Sequence, residues 1–155
     1  FYVNLSSGSP TSTDLRNHDG SVITEGSSIT ISSGSEHNSG KSVSANTTNS
    51  LYNSSIIERG MFSSTGMTIG LDQAGLDPLG DYVVKITSSR DDPDTSRVSL
   101  YTVGGETKEQ LAIADIPEVV YFNVSGQDLM DGGIQVTKKS GSPYCYINGV
   151  TIHRQ

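Results

Sequence analysis

Between Tyr82 and Gly105 the chain alternates apolar and polar side chains twice over, and that period limits what it can fold into. Val84, Ile86 and Ser88 share one parity, while Lys85, Thr87 and Ser89 share the other. This is the spacing of a half-buried strand, not of a helix. Val98 and Leu100 repeat it against Arg97 and Ser99. The stretch between them, Arg90-Asp91-Asp92-Pro93-Asp94-Thr95-Ser96, is too polar to bury, and Pro93 has no N–H to give a ladder. Two strands around a solvated loop predict a central hairpin with Val84, Ile86, Val98 and Leu100 turned to the core.

Short patterned runs flank it on both sides. Phe1–Leu5 suits an edge strand, and Val22-Ile23 with Ile29 and Ile31 suit a strand pair around Glu25-Gly26. Met67, Ile69 and Leu71 alternate cleanly, as do Val120, Phe122 and Val124. Residues 106–114 are the one serious helix candidate, but Leu111 and Ile113 fit a strand, which is the reading adopted. Asp131-Gly132-Gly133 signals a turn before Ile134 and Val136, and Tyr144–Ile152 reads as one long strand with a bulge at Asn148-Gly149. Val120, Phe122, Ile134, Val136 and Ile147 join the expected core. Many short strands between Gly, Pro, Asn and Asp turns define an all-β fold, a sandwich or barrel.

With 155 residues the chain suits a single domain spanning 1–155. A net charge of −7 and scattered Lys and Arg argue against nucleic acid or an anionic membrane as partner. No run approaches the roughly 20 apolar residues of a membrane helix. The single Cys145 excludes an intrachain disulfide and a multi-thiolate zinc site, and its Tyr-Cys-Tyr-Ile setting suits a buried hydrophobe. The Ser/Thr/Asn/Gly-rich composition suits an extracellular or particle-surface protein. Asn4, Asn46, Asn53 and Asn123 stand in glycosylation sequons, relevant only in a eukaryotic secretory pathway. No secretory leader is legible, and a start at Phe1 suits a processed chain or part of a larger chain or assembly.

Several runs occur in a familiar order: Leu76-Asp77-Pro78, Tyr82–Ile86, Arg97–Tyr101 ending in Val103-Gly104-Gly105, Asp131-Gly132-Gly133-Ile134, and Tyr144–Ile152. Together they resemble the galactose-binding-like β-sandwich domains appended to secreted bacterial glycan-active proteins, of the carbohydrate-binding-module and malectin-like type. Phe1–Leu5 with Leu15-Arg16-Asn17 matches more loosely. The resemblance covers about half of the chain, mostly core and turn positions, and implies an antiparallel β-sandwich of the jelly-roll kind. It also implies a non-catalytic role in recognising extracellular glycan. The departure is that such domains often carry Trp-Asn near the start, and this chain has no Trp. Tyr or His would have to supply the aromatic face on which a pyranose packs. The alternative is a structural or adhesive domain of an extracellular assembly, such as a viral fibre, capsid decoration or surface filament.

Four residues are candidates to hold a ligand: Arg90 and Arg97, which flank the central loop, and Tyr52 with Asn53. A guanidinium fork suits sugar hydroxyls or a uronate carboxylate, while its ordinary role here is an ion pair with a loop aspartate. Asp91, Asp92 and Asp94 are hard oxygen ligands suited to calcium, and galactose-binding-like domains often hold a structural calcium ion. They match no EF-hand pattern, which favours a solvated acidic turn. Tyr121 and Tyr146 read as sheet residues, with packing in the core or on a sheet face as their expected role. His18-Asp19 with the abundant serines does not make a catalytic triad, because no Gly-x-Ser-x-Gly elbow is present. The expectation is a domain without hydrolytic activity.

Overall fold

The computed structural model describes residues 2–4, 11–13, 27–38, 59–88, 97–112 and 118–155. Val84 and Ile86 point the same way along β7 (Asp81–Ser88) and are fully buried, as their spacing requires. The partners of β7 differ from those expected. It lies between β10 (Glu118–Ser125) and β13 (Gly149–Arg154), and β1 (Tyr2–Asn4) completes a four-stranded antiparallel sheet. β8 (Val98–Val103) belongs to a second sheet, between β9 (Glu106–Leu111) and β11 (Ile134–Lys138). β7 and β8 therefore do not pair with each other as a hairpin. Each strand buries one face, and placing them in separate layers of a sandwich satisfies that period as well as pairing them would.

The hairpin of this region is β8–β9, so residues 106–111 are strand, as expected. Gly104 and Gly105 close it at φ of 55° and 82°, the two positive values a type I′ turn needs. Parity in β8 is the reverse of that expected. Ser99, Tyr101 and Val103 are buried, while Val98 and Leu100 are half-buried on the other side. Turning Tyr101 inward buries a whole aromatic ring, and its hydroxyl donates to the Tyr146 carbonyl at 2.7 Å, so no polar atom is stranded by the choice.

The second sheet has six strands, in the order β2 (Thr11–Thr13), β3 (Ser28–Ser32), β6 (Met67–Gly70), β11, β8, β9. Met67, Ile69 and Leu71 are buried as their alternation predicts. A third sheet joins β4 (Ser35–Asn38), β5 (Arg59–Ser63) and β12 (Cys145–Ile147). Residues 144–152 are thus not one bulged strand. The chain leaves the third sheet after Ile147 and enters the four-stranded sheet at Gly149. Asn148 makes the corner, fully buried, with its N–H donating to Thr87 O at 3.0 Å.

A short helix, α1 (Gly126–Gly132), stands where the sequence suggested only a turn. Ser125 caps it, its hydroxyl accepting from Asp128 N at 3.1 Å and donating to the Asp128 carboxylate at 2.7 Å. Gly133 ends it at φ 60°, where a Cβ would collide with the Ile69 carbonyl oxygen. The buried side chains form one hydrophobic cluster that draws on all three sheets. It includes Phe122, Ile134, Val136 and Ile147, with Val120 half-buried against it. The architecture is an all-β antiparallel sandwich, the fold class expected. Cys145 is fully buried, and burial pushes its thiol pKa up, as befits a core residue. No helix among the described residues is long and apolar enough to cross a membrane.

Candidate functional site

The inward turn of Ser99 and Tyr101 has a consequence at the neighbouring strand. The Ser99 hydroxyl accepts from Tyr146 N at 2.8 Å and donates to Tyr146 O at 3.2 Å, and Tyr101 donates to the same carbonyl. Three side-chain bonds thus fix the backbone of β12 against β8. Ser142 does the same for the preceding loop, accepting from Val98 N at 3.1 Å and donating to Tyr144 O at 2.7 Å. Tyr144 and Tyr146 are held beside Arg97, whose own carbonyl accepts from Ala112 N at 2.9 Å.

The result is a corner of three aromatic rings and one guanidinium. Phe62 pairs with Tyr146 across the β5–β12 ladder, their rings 6.1 Å apart and inclined by 23°. Tyr144 meets Phe62 edge-on at 5.4 Å and Tyr146 at 6.4 Å. The Arg97 guanidinium lies 4.8 Å over the Tyr144 ring and reaches the Tyr146 hydroxyl in a long bond of 3.4 Å. Arg97, Phe62 and Tyr144 are half-buried, whereas Tyr146 is 7% exposed. Such a corner offers apolar ring surface beside an oriented fork of N–H donors, the complements of the C–H face and the oxygen acceptors of a sugar.

Of the residues singled out in the sequence, Arg97 is at this corner. Arg90, Tyr52, Asn53 and the calcium candidates Asp91, Asp92 and Asp94 lie outside the described residues. Tyr146 is largely buried, as expected of a sheet residue, yet its hydroxyl serves the corner. Phe62 and Tyr144 were missed as site residues. The available signal was the aromatic-rich Tyr144-Cys145-Tyr146, whose alternation puts both tyrosines on the face opposite the buried cysteine.

A concavity of about 260 Å³ opens between the Gly104-Gly105 turn and α1. Its carboxylates, Asp128 and Asp131, already accept hydrogen bonds from Ser125 and Gln127, and no aromatic ring lines it. It gives a sugar ring no apolar surface, so the Arg97 corner is the better candidate.

No family model matches the chain, and no curated protein matches it either. Among solved structures, a calcium-binding mutant of Bacteroides uniformis beta-glucuronidase 2 is similar over 100% of this chain, with a TM-score of 0.56 at 13% identity. The chain spans 18% of that protein. A likeness at this identity speaks for the fold, an antiparallel β-sandwich domain, and for nothing finer.

Proposed function

We propose that this chain is a non-catalytic glycan-binding module of galactose-binding-like type that works outside the cell. The observation that carries the reading is the Arg97 corner: a guanidinium laid on Tyr144 beside Phe62 and Tyr146. A pyranose would pack its C–H face on the half-buried rings while Arg97 donates to a hydroxyl or carboxylate oxygen. Ser99, Tyr101 and Ser142 would position the corner through the backbone of residues 144–146 without touching the sugar. The structural neighbour belongs to a glycan-active protein, which accords with the reading at the level of the fold.

A glycan array probed with the labelled domain tests it, once in calcium and once in a chelator. Selective binding to a defined group of glycans is expected. Loss of binding in the chelator would trace part of the affinity to a bound calcium ion, for which Asp91, Asp92 and Asp94 are the candidate ligands. Absence of binding on every glycan in both conditions would reject the module reading and favour a structural or adhesive domain.

A further inference from the structure

We propose that the outer face of the four-stranded sheet is a second binding surface, for an anionic sugar bearing a carboxylate or sulfate group. The inward face of this sheet is closed, because Val84, Ile86, Phe122, Val124, Val150 and Ile152 are all buried. The alternate positions therefore point away from the core; Tyr121, Asn123 and His153 are exposed there, whereas Thr87 is buried. Register aligns them in rows. Tyr121 lies opposite Lys85, which lies opposite Thr151, and Asn123 lies opposite Val83, which lies opposite His153. With strands about 4.8 Å apart and about 3.4 Å of rise per residue, two such rows span roughly 10 by 7 Å, the footprint of one or two sugar rings.

The chemistry of these rows matches an anionic sugar. Tyr121 is 50% exposed and can take the C–H face of a pyranose. The Lys85 ammonium sits 5.7 Å from the centre of that ring and forms no ion pair among the described residues. A second ammonium, Lys108, donates to the Tyr121 carbonyl while paired with Glu106 at 3.1 Å, and this fixes the strand beneath the ring. Asn123 accepts from Gln155 at 3.1 Å, which leaves its amide nitrogen to donate to a hydroxyl. His153 is exposed in the same row. The nearest carboxylate on this face along β7 is Asp81, four residues from Lys85 or about 13 Å along the strand. In a chain of net charge −7, an ammonium without an ion pair among the described residues, beside an open tyrosine, is a local exception, and its electrostatic complement is an anion.

This surface is independent of the Arg97 corner, and the experiment separates the two. Isotope-labelled protein is titrated with tetragalacturonate, with a heparin tetrasaccharide, and with neutral cellotetraose, following the amide resonances of Tyr121, Lys85, Asn123 and His153. Shifts with at least one anionic oligosaccharide, weakened by added salt and absent with cellotetraose, are expected. The two anionic arms decide between carboxylate and sulfate. Lys85→Gln and Tyr121→Ala are each expected to weaken the binding read at these resonances about tenfold or more, and Lys85→Arg to retain it. The proposal is overturned if neither anionic oligosaccharide moves these resonances. It is equally overturned if Lys85→Gln and Tyr121→Ala, shown folded by their spectra, bind as the wild type does.

Discussion

Tyr101 is the residue on which the interior of the Arg97 corner turns. Burial pushes its phenol far above the ordinary 10.0, so above that pH the unfolded chain releases a proton that the folded one keeps. Its contribution to stability is therefore complete below about pH 10 and lost progressively as the pH rises further. Tyr101→Phe removes the bond to Tyr146 O and should cost about 0.5–1.5 kcal/mol at neutral pH. Urea denaturation at pH 7 and at about pH 10.5 checks both statements, because the deficit of the variant should shrink at the higher pH as the wild type alone loses this contribution. Gln110 makes the opposite case. It is 2% exposed, and neither amide atom finds a partner among the described residues. A stranded buried amide costs about 1–3 kcal/mol, so Gln110→Met should stabilise the domain by about 1–2 kcal/mol. A loss of that size in the same urea assay would show the amide to be bonded.

At the scale of the element, α1 shows how a strong local signal can serve a short structure. The cap is legible in Ser125-Gly126-Gln127-Asp128, but seven residues make under two turns, too few for a helical period to emerge. Ser125→Ala removes both hydroxyl bonds and should cost about 0.5–2 kcal/mol, measured as a lower midpoint in thermal or urea unfolding. An unchanged midpoint would mean that Gly126 N, which donates to Gly80 O at 2.8 Å, anchors the helix start without the cap. Strands were easier to read where one face is mainly apolar, as at Val84 and Ile86 or Met67 and Ile69. In β8 both faces carry apolar side chains, and the sequence pattern ranked Leu100 above Tyr101. The ring won because its hydroxyl had an acceptor in β12, a partner 45 residues away. Asn148-Gly149 was correctly seen as a break, but a break in period does not say whether a strand bulges or changes sheets.

Across the whole molecule, the class of fold was legible because strand periods and turn residues recur along the chain, whereas strand pairing was not. The 82–88 and 98–103 strands have the same period whether they pair or face each other from separate sheets. The candidate site follows the same logic. Arg97 could be suspected alone, but Phe62, Tyr144 and Tyr146 become its neighbours only because β12 pairs with β5 while Ser99 and Tyr101 hold it to β8. Chemistry assembled from strands so far apart in sequence is set by topology. A binding function at this corner has a direct measurement: titration calorimetry of the strongest glycan from the array against the wild type, Arg97→Ala and Tyr144→Ala. Loss of a charge-assisted hydrogen bond should cost about 1.5–3 kcal/mol, so Arg97→Ala should bind about ten- to a hundredfold more weakly. Tyr144→Ala should weaken binding at least as much, since it removes the ring surface and the support of the guanidinium together. Wild-type affinity in both variants, with their thermal unfolding intact, would contradict a glycan site at the Arg97 corner.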